Sequence, residues 1–424
     1  MNNKNKAIRS FMVDNVVTIM FLIICALCIY FSHQPFSYVI SEISTRLFRN
    51  LALILSLLVP VWAGMGLNFS IVLGAMSAQI GIIIVTNFQM SGVSALGTAF
   101  LISIPFSVFF GFLTGKLFNR TKGQEMITGM ILGFFAKGIY DLVFMFLCGP
   151  VIPIRNPALL LTNGIGLITP ITLDKSTKGA INKLWRVSMD KFLNVALPLV
   201  LLVFVAVIVY TYIRYKKKPE RRLMGGAVLT GVVCVLYFLL MKMNQTFAFA
   251  LAFTDVPVAT LMIILIVCLL LTYLSRTKLG SDINAVGQNR QIAESMGIPV
   301  DKIRIIAVII STVLAGLGQM IFIQDIGNFT TYTAHENVGT FAIAALLVGG
   351  ASITKATIGQ VVLGALLFHT IFIFSPIAGK NIFNNAQIGE YFRVFASYAV
   401  IAIALVLHAW KTAIAKKESE LNDR

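Results

Sequence analysis

The chain has 424 residues, 58% of them hydrophobic and 12% charged, and its mean hydropathy is +0.87. A water-soluble protein of that composition would expose apolar patches it could not tolerate, so a soluble multi-domain enzyme is excluded and an all-α polytopic membrane protein is indicated. The formal charge of +17 reads as Lys and Arg on cytoplasmic loops rather than as a nucleic-acid footprint.

The opening MNNKNKAIRS and the apolar run behind it have the pattern of a secretory signal. No small-x-small cleavage site follows that run, which ends CIYFSHQP, so a retained signal-anchor helix is expected. Twelve apolar segments can be marked, near 14–31, 51–66, 71–88, 93–115, 125–147, 193–213, 223–241, 257–275, 303–323, 339–350, 356–374 and 390–410. With both termini inside, most Lys and Arg fall on cytoplasmic loops, as the positive-inside bias requires. The second and third segments are parted only by Leu67–Asn68–Phe69–Ser70, and the tenth is short. Both places predict broken or re-entrant helices, which a bilayer tolerates only where protein covers the backbone or a cavity faces it. The five cysteines, Cys25, Cys28, Cys148, Cys234 and Cys268, lie in or at the end of apolar runs and read as small buried hydrophobes.

Polar residues within this apolar frame are candidates for a solute pathway. Asn68 and Ser70 could hydrogen-bond a neutral hydroxylated solute or cap the two half-helices they separate, and capping is the favoured reading. Gln79 lies inside the third segment without an obvious local partner and suits a bond across helices. Lys137 and Asp141 are i,i+4 in one segment; they either neutralise each other as a structural pair or face a pathway. Glu336 and Asn337 enter the tenth segment after DIGNFTTYTAH, as a solvated helix start or as part of an external gate.

The connection 148–192 is too long for a plain turn and is expected to fold as an external cap. RYKKKPERR at 214–222 is a dense basic run that pins topology and touches anionic lipid. The stretch 276–302 is polar and cytoplasmic. Within it Asn289 is a good N-cap, Arg290–Met296 can form two turns and Gly297 suits a left-handed C-terminal position. Pro299 then stops the helix, and Asp301 can cap the next span. Ile292, Ala293 and Met296 would give this helix an apolar edge. So short a helix is marginal alone, so it either lies on the membrane surface or docks a soluble partner.

LGSDINAVGQNRQIAESMGIPVDKIRI resembles the cytoplasmic coupling loop of the ribose-type, or simple-sugar, permeases of ATP-binding-cassette importers. The matching positions are Gly280, Ala285, Gly287, Asn289, Ala293, Gly297 and Ile298, with Glu294 where that family has a second alanine. FAIAALLVGGASITKATIGQVVLGALL is similar to the family's glycine-rich segment through Ile343, Ala344, Ala345, Gly349, Gly350, Ser352, Gly359 and Gly364. Lys355–Ala356 stands there in place of a second glycine pair. WAGMGLNFSIVLGAM occupies the place of a Gly-Gly-Ile-Asp-Leu-Ser break, with Asn68 for the Asp and Ser70 retained, and Lys137–Gly138 replaces an Arg-Gly pair. The resemblance covers about 51–147 and 257–410, leaving 193–241 as an inserted hairpin beside ten family-like segments.

The resemblance implies a single permease domain in a prokaryotic plasma membrane, with 276–302 seated in a cytoplasmic ATPase subunit. It implies two further partners, an external solute-binding protein and a second permease protomer, identical or not, besides membrane lipid. The implied solute is a monosaccharide, with nucleosides the runner-up. No GxxxxGK[ST] loop, no Cys/His metal spacing among the scattered His33, His335, His369 and His408, and no Gly-x-Ser-x-Gly elbow occurs. The chain therefore reads as a transport subunit with no cofactor of its own, ATP being hydrolysed elsewhere. Two rivals stand. A single-chain secondary transporter of two six-segment halves lacks here the charged turn such proteins carry between spans two and three. A membrane-embedded transferase would need a cluster of catalytic His or Asp.

Overall fold

A computed structural model describes residues 16–174, 176–215, 221–396, 398–399, 401–403 and 406. MNNKNKAIRS, residues 216–220 of the basic run and residues 397, 400, 404–405 and 407–410 of the twelfth segment lie outside the described residues. The first helices are α1 (Val16–Ser32), α2 (Phe36–Leu55), α3 (Leu58–Trp62), α4 (Ile71–Asn87), α5 (Gly92–Arg120) and α6 (Glu125–Leu142). After the short strands β1 (Ile171–Thr172) and β2 (Arg186–Ser188) come α7 (Met189–Tyr215), α8 (Arg221–Met243) and α9 (Gln245–Ala252). β3 (Asp255–Pro257), α10 (Val258–Arg276), α11 (Lys278–Gln288), α12 (Arg290–Ser295) and α13 (Val300–Ile326) follow. β4 (Asn328–Phe329), α14 (Val338–Val348) and α15 (Ile358–Phe383) complete the named elements.

Among the described residues seven helices are long and apolar enough to cross a membrane, six within α5, α7, α8, α10, α13 and α15 and one, Glu125–Leu147, running on past the end of α6, and three shorter apolar helices cover α1, α4 and α14. The segment expected at 51–66 is built differently. Its helix begins at Phe36, stops at Leu55, resumes over Leu58–Trp62 and then gives way to a non-helical turn through Gly64 and Gly66 at φ +69° and +70°. A hydropathy reading ends at Glu42, Arg46 and Arg49, but the helix runs through them because an arginine at its polar end has a partner: Arg49 meets Asp325 at 3.1 Å.

The chain divides into two units. The larger holds residues up to 33, 46–184 and 260 onward. At its centre α13 lies against α3, α4 and α5, and small residues set the spacing: a Cβ added at Gly74 or Gly111 would collide with Thr312. α14 and α15 pack on each other, and α1 joins them, with Thr18 Oγ1 donating to the Val348 carbonyl at 2.8 Å. The 148–184 connection, with Leu167, Ile171 and Leu173 fully buried, folds over the C-terminal end of α13. β1 pairs antiparallel with β4 there, Thr331 Oγ1 donates to the Ile168 carbonyl at 2.7 Å, and the Gly179 N–H donates to the Gln324 carbonyl at 2.7 Å.

The smaller unit comprises residues 34–45 and 185–259. Its chain enters and leaves through β2 and β3, paired antiparallel with Arg186 opposite Pro257 and Ser188 opposite Asp255. Between them α7 and α8 form a helical pair whose apolar side chains are mostly exposed, as lipid-facing helices require. Tyr237 Oη donates to the Asp190 carbonyl at 3.2 Å and lies 3.1 Å from Asn194 Oδ1.

Candidate functional site

The polar stretch 276–302 forms two helices that meet at one residue. Thr277 caps α11, accepting from the Gly280 N–H at 3.3 Å. Asn289, at φ −155° and ψ 110°, ends α11 and starts α12, its Oδ1 accepting from the Ile292 N–H at 3.1 Å. α12 closes with Gly297 at φ +81°, where the Gly297 N–H reaches the Glu294 carbonyl at 3.0 Å and the Ile298 N–H reaches the Ala293 carbonyl at 3.1 Å. That pair of bonds is a Schellman motif, and it assigns three of the motif positions, Ala293, Gly297 and Ile298, to one device that stops the helix. Asp301 does not cap the next span as its position had led us to expect. Pro299 is the N-cap of α13 without a side-chain bond, and Asp301 pairs with Arg290 at 3.0 Å across the loop.

The loop is pressed onto the helix bundle at Gly287. A Cβ there would strike the Trp62 carbonyl and the Gly64 N–H, so glycine is what lets the end of α11 lie on the turn after α3. Ile283 and Val286 are buried on the same side, and Gly280 meets the Leu274 carbonyl just as closely, whereas Ala285 is half-buried. Of the expected apolar edge only Ala293 turns inward; Ile292 is 57% exposed and Met296 72%. At the same end of the bundle the buried Arg304 of α13 pairs with Glu125 at the start of α6, and Trp62 Nε1 donates to the Ala356 carbonyl at 2.9 Å. The turn that carries Lys355–Ala356 in place of a glycine pair is closed instead by Ser352, whose N–H donates to the Lys355 carbonyl at 2.8 Å.

The polar residues within the bundle fall into separate groups. Asn68 Oδ1 accepts from the Ser70 N–H at 3.0 Å and from its hydroxyl, and Asn68 Nδ2 faces Ser311 Oγ at 3.5 Å. Ser311 in turn donates to the Ser56 carbonyl at 2.8 Å. Asn68 and Ser70 are buried; Asn68 holds the Ser70 N–H just before α4, while Ser70, the N-cap of α4, makes no side-chain capping bond of its own. Gln79 finds its partner far along the chain: its Oε1 lies 3.0 Å from His335 Nδ1, both residues being fully buried.

Lys137 carries two acids. Its Nζ lies 2.9 Å from Asp141 Oδ2 and 3.1 Å from Glu336 Oε1, and all three side chains are partly exposed. The i,i+4 spacing contained the first contact, but nothing local in the sequence announces the second, which joins α6 to the turn before α14. Lys137, His335, Glu336 and Asn337 line one side of a cavity of about 560 Å³ whose other walls include Phe69 and Phe134. Among the described residues no three His, Cys, Asp or Glu side chains are grouped to hold a metal ion.

A family model described as branched-chain amino acid transport system / permease component matches residues 51–408. The nucleoside ABC transporter permease protein NupC of Lactococcus lactis is 32% identical over 171 residues, 40% of this chain and 51% of that protein. The D-allose transport system permease protein AlsC of Escherichia coli is 29% identical over 161 residues, 38% and 47% of the two chains. The guanosine ABC transporter permease protein NupQ of Bacillus subtilis is 30% identical over 153 residues, 36% and 46%. The matched stretch thus spans about half the length of these relatives. No solved structure matches the chain.

Proposed function

This chain belongs to the transport-system permease family whose model matches it over residues 51–408, and on that premise we propose that it is the membrane-spanning subunit of an ATP-binding-cassette importer. It is a multi-pass protein of the cytoplasmic membrane and a transport subunit, not an enzyme. In the proposed arrangement both termini are inside, the twelve segments comprise ten family-like ones plus the 193–241 hairpin, and 148–192 faces outward. A cytoplasmic ATPase chain binds and hydrolyses ATP, a solute-binding protein delivers solute from outside, and a second protomer completes the pore. The solute is a monosaccharide. A nucleoside is the second reading, supported by relatives named as nucleoside and guanosine permeases as much as the first is by one named for D-allose.

One observation carries the coupling role. α12 is held by an asparagine N-cap and a Schellman C-terminus, yet it presents Ile292 and Met296 outward, four residues apart on one face. Exposed apolar side chains on an otherwise polar, fixed helix are what a docking partner covers. Movement imposed there has a route inward through Gly287 on the Trp62–Gly64 turn and through Arg290 on Asp301 at the start of α13. α13 then carries it to α4 and α5, a rigid-body switch of the kind alternating access needs. Lys137, Glu336 and Asn337, which line the 560 Å³ cavity, and Asp141, which pairs with Lys137, are the proposed pathway residues.

The test is co-purification with the neighbouring ATPase. Wild type retains the ATPase, and Ile292→Asp with Met296→Asp loses most of it while the melting temperature of the permease stays unchanged, because both side chains are exposed. An ATPase that never co-purifies with wild type, or that binds the double variant equally, contradicts the assignment.

A further inference from the structure

The helices α4, α5 and α6 do not close evenly on one another. α4 and α5 are packed along their lengths, whereas α6 touches both far less. Between the three lies an apolar groove of about 490 Å³. Ile80 and Ile84 of α4 form its floor, with Phe110 and Leu113 of α5 on one side and Phe135 and Ile139 of α6 on the other. Leu113, Phe135 and Ile139 are exposed, so the groove opens sideways, on the flank that two membrane-crossing helices turn to the hydrocarbon.

The groove covers the depth of one leaflet. Its α4 wall runs from Leu73 to Asn87, a rise of about 21 Å at about 1.5 Å per residue, and half of a hydrocarbon core of about 30 Å is about 15 Å. Over that length 490 Å³ leaves room for a single chain of methylenes, not for the helix of a second copy, which is about 10–12 Å across. Nearly all of the lining is aliphatic or aromatic, and Asn87, at one end, spends its Oδ1 on the Arg155 and Asn156 N–H groups, at 2.7 and 3.2 Å. Such walls give a polar solute nothing to bond, and left empty beside lipid they would forfeit dispersion contacts.

The charge at the mouth decides the occupant. Arg155 follows Ile154 of the lining, and its guanidinium is stacked 5.0 Å over the exposed Phe88 ring. Arg155 is itself exposed and has no acidic partner among the described residues. A guanidinium held on an aromatic face with its N–H edge unpaired suits a phosphate, which it can bond with two parallel N–H groups.

We infer that this groove holds one acyl chain of a membrane phospholipid whose phosphate lies on Arg155, in the outer leaflet of the proposed arrangement. The lipid fills the gap beside α6, the helix that carries Lys137 and Asp141. Its binding requires only that the chain sits in a membrane, so it stands or falls apart from the importer reading and from the identity of the solute.

The experiment places the full chain in nanodiscs containing a small fraction of phosphatidylglycerol with a diazirine in one acyl chain, and maps the photolabelled residues by peptide mass spectrometry. A diacylglycerol with the same chain, lacking the phosphate, is the comparison. Leu202, on the exposed side of α7, reports bulk lipid. Wild type is expected to label Ile80 and Ile84 at least fivefold more from phosphatidylglycerol than from the diacylglycerol, with Leu202 labelled alike by both. Arg155→Gln, at an exposed position, should abolish that preference with an unchanged melting temperature. Ile84→Trp, which fills the groove, should lower the label on Ile80 at least fivefold and leave Leu202 as it was. Wild type unlabelled at Ile80 and Ile84 overturns the site. A disulfide-linked dimer of Phe135→Cys with those residues unlabelled also overturns it, by putting a second copy there. Equal labelling by the two probes, or a preference that survives Arg155→Gln, overturns the phosphate assignment.

Discussion

Lys137 is held by Asp141 from its own helix and by Glu336 from the turn before α14, at 2.9 and 3.1 Å. The two acids do not contribute alike when one member is removed. Glu336→Gln leaves Lys137 paired with Asp141, whereas Lys137→Met leaves two acids facing each other without a cation. Breaking a fully buried pair costs about 3–5 kcal/mol, but side chains that are about one-third exposed warrant a discount to roughly 1–2 kcal/mol. Lys137→Met is therefore expected to lower the melting temperature clearly and Glu336→Gln only slightly. Equal effects would mean that the ammonium is not what holds the cluster. Of these contacts only Lys137–Asp141 was legible in the sequence, because i,i+4 geometry is local. Glu336 on Lys137 and His335 on Gln79 are products of the fold, which brings together positions with no shared local pattern.

At the scale of elements, α12 was readable almost to the residue, since caps are local chemistry: Asn289 starts it and Gly297 ends it. Two neighbouring elements were not. α11 is an amphipathic helix of polar sequence whose buried side, Ile283 and Val286, becomes visible only once the bundle it covers exists. α2 continues to Phe36 through charged residues that a hydropathy count treats as loop. Gly287, one of the matching positions of the motif, packs against Trp62 and Gly64. Gly287→Ala should then separate docking from transmission. Overpacking of this kind costs about 1–3 kcal/mol, so the variant should melt lower and lose solute-stimulated ATP hydrolysis while still binding the ATPase through Ile292 and Met296. Wild-type stimulation at a wild-type melting temperature would show that the Gly287 contact transmits nothing.

In the whole molecule, α13 connects the two ends that matter. At 27 residues and about 1.5 Å per residue it is roughly 40 Å long, long enough to cross a bilayer. Its first turn pairs with the coupling loop through Arg290–Asp301, and its last turns line a cavity of about 580 Å³. Membrane character was legible from composition, and the family from the resemblance carried by residues 276–302 and 341–367. The bounds of the smaller unit were not, because the β2–β3 ribbon that flanks α7 and α8 consists of only three residues a side. In the proposed importer, force applied at α12 would reach the far end of the bundle along this one helix.

The central claim, that transport is powered by a separate ATPase acting through this loop, is tested most directly by uptake into proteoliposomes. The permease, its ATPase and its solute-binding protein are reconstituted, and entry of labelled D-ribose and uridine is followed with and without ATP on the ATPase side. The account predicts accumulation of one of these solutes only when ATP and all the partners are present, and its loss with Ile292→Asp and Met296→Asp. Uptake by the permease alone, driven by an ion gradient and indifferent to ATP, would contradict it.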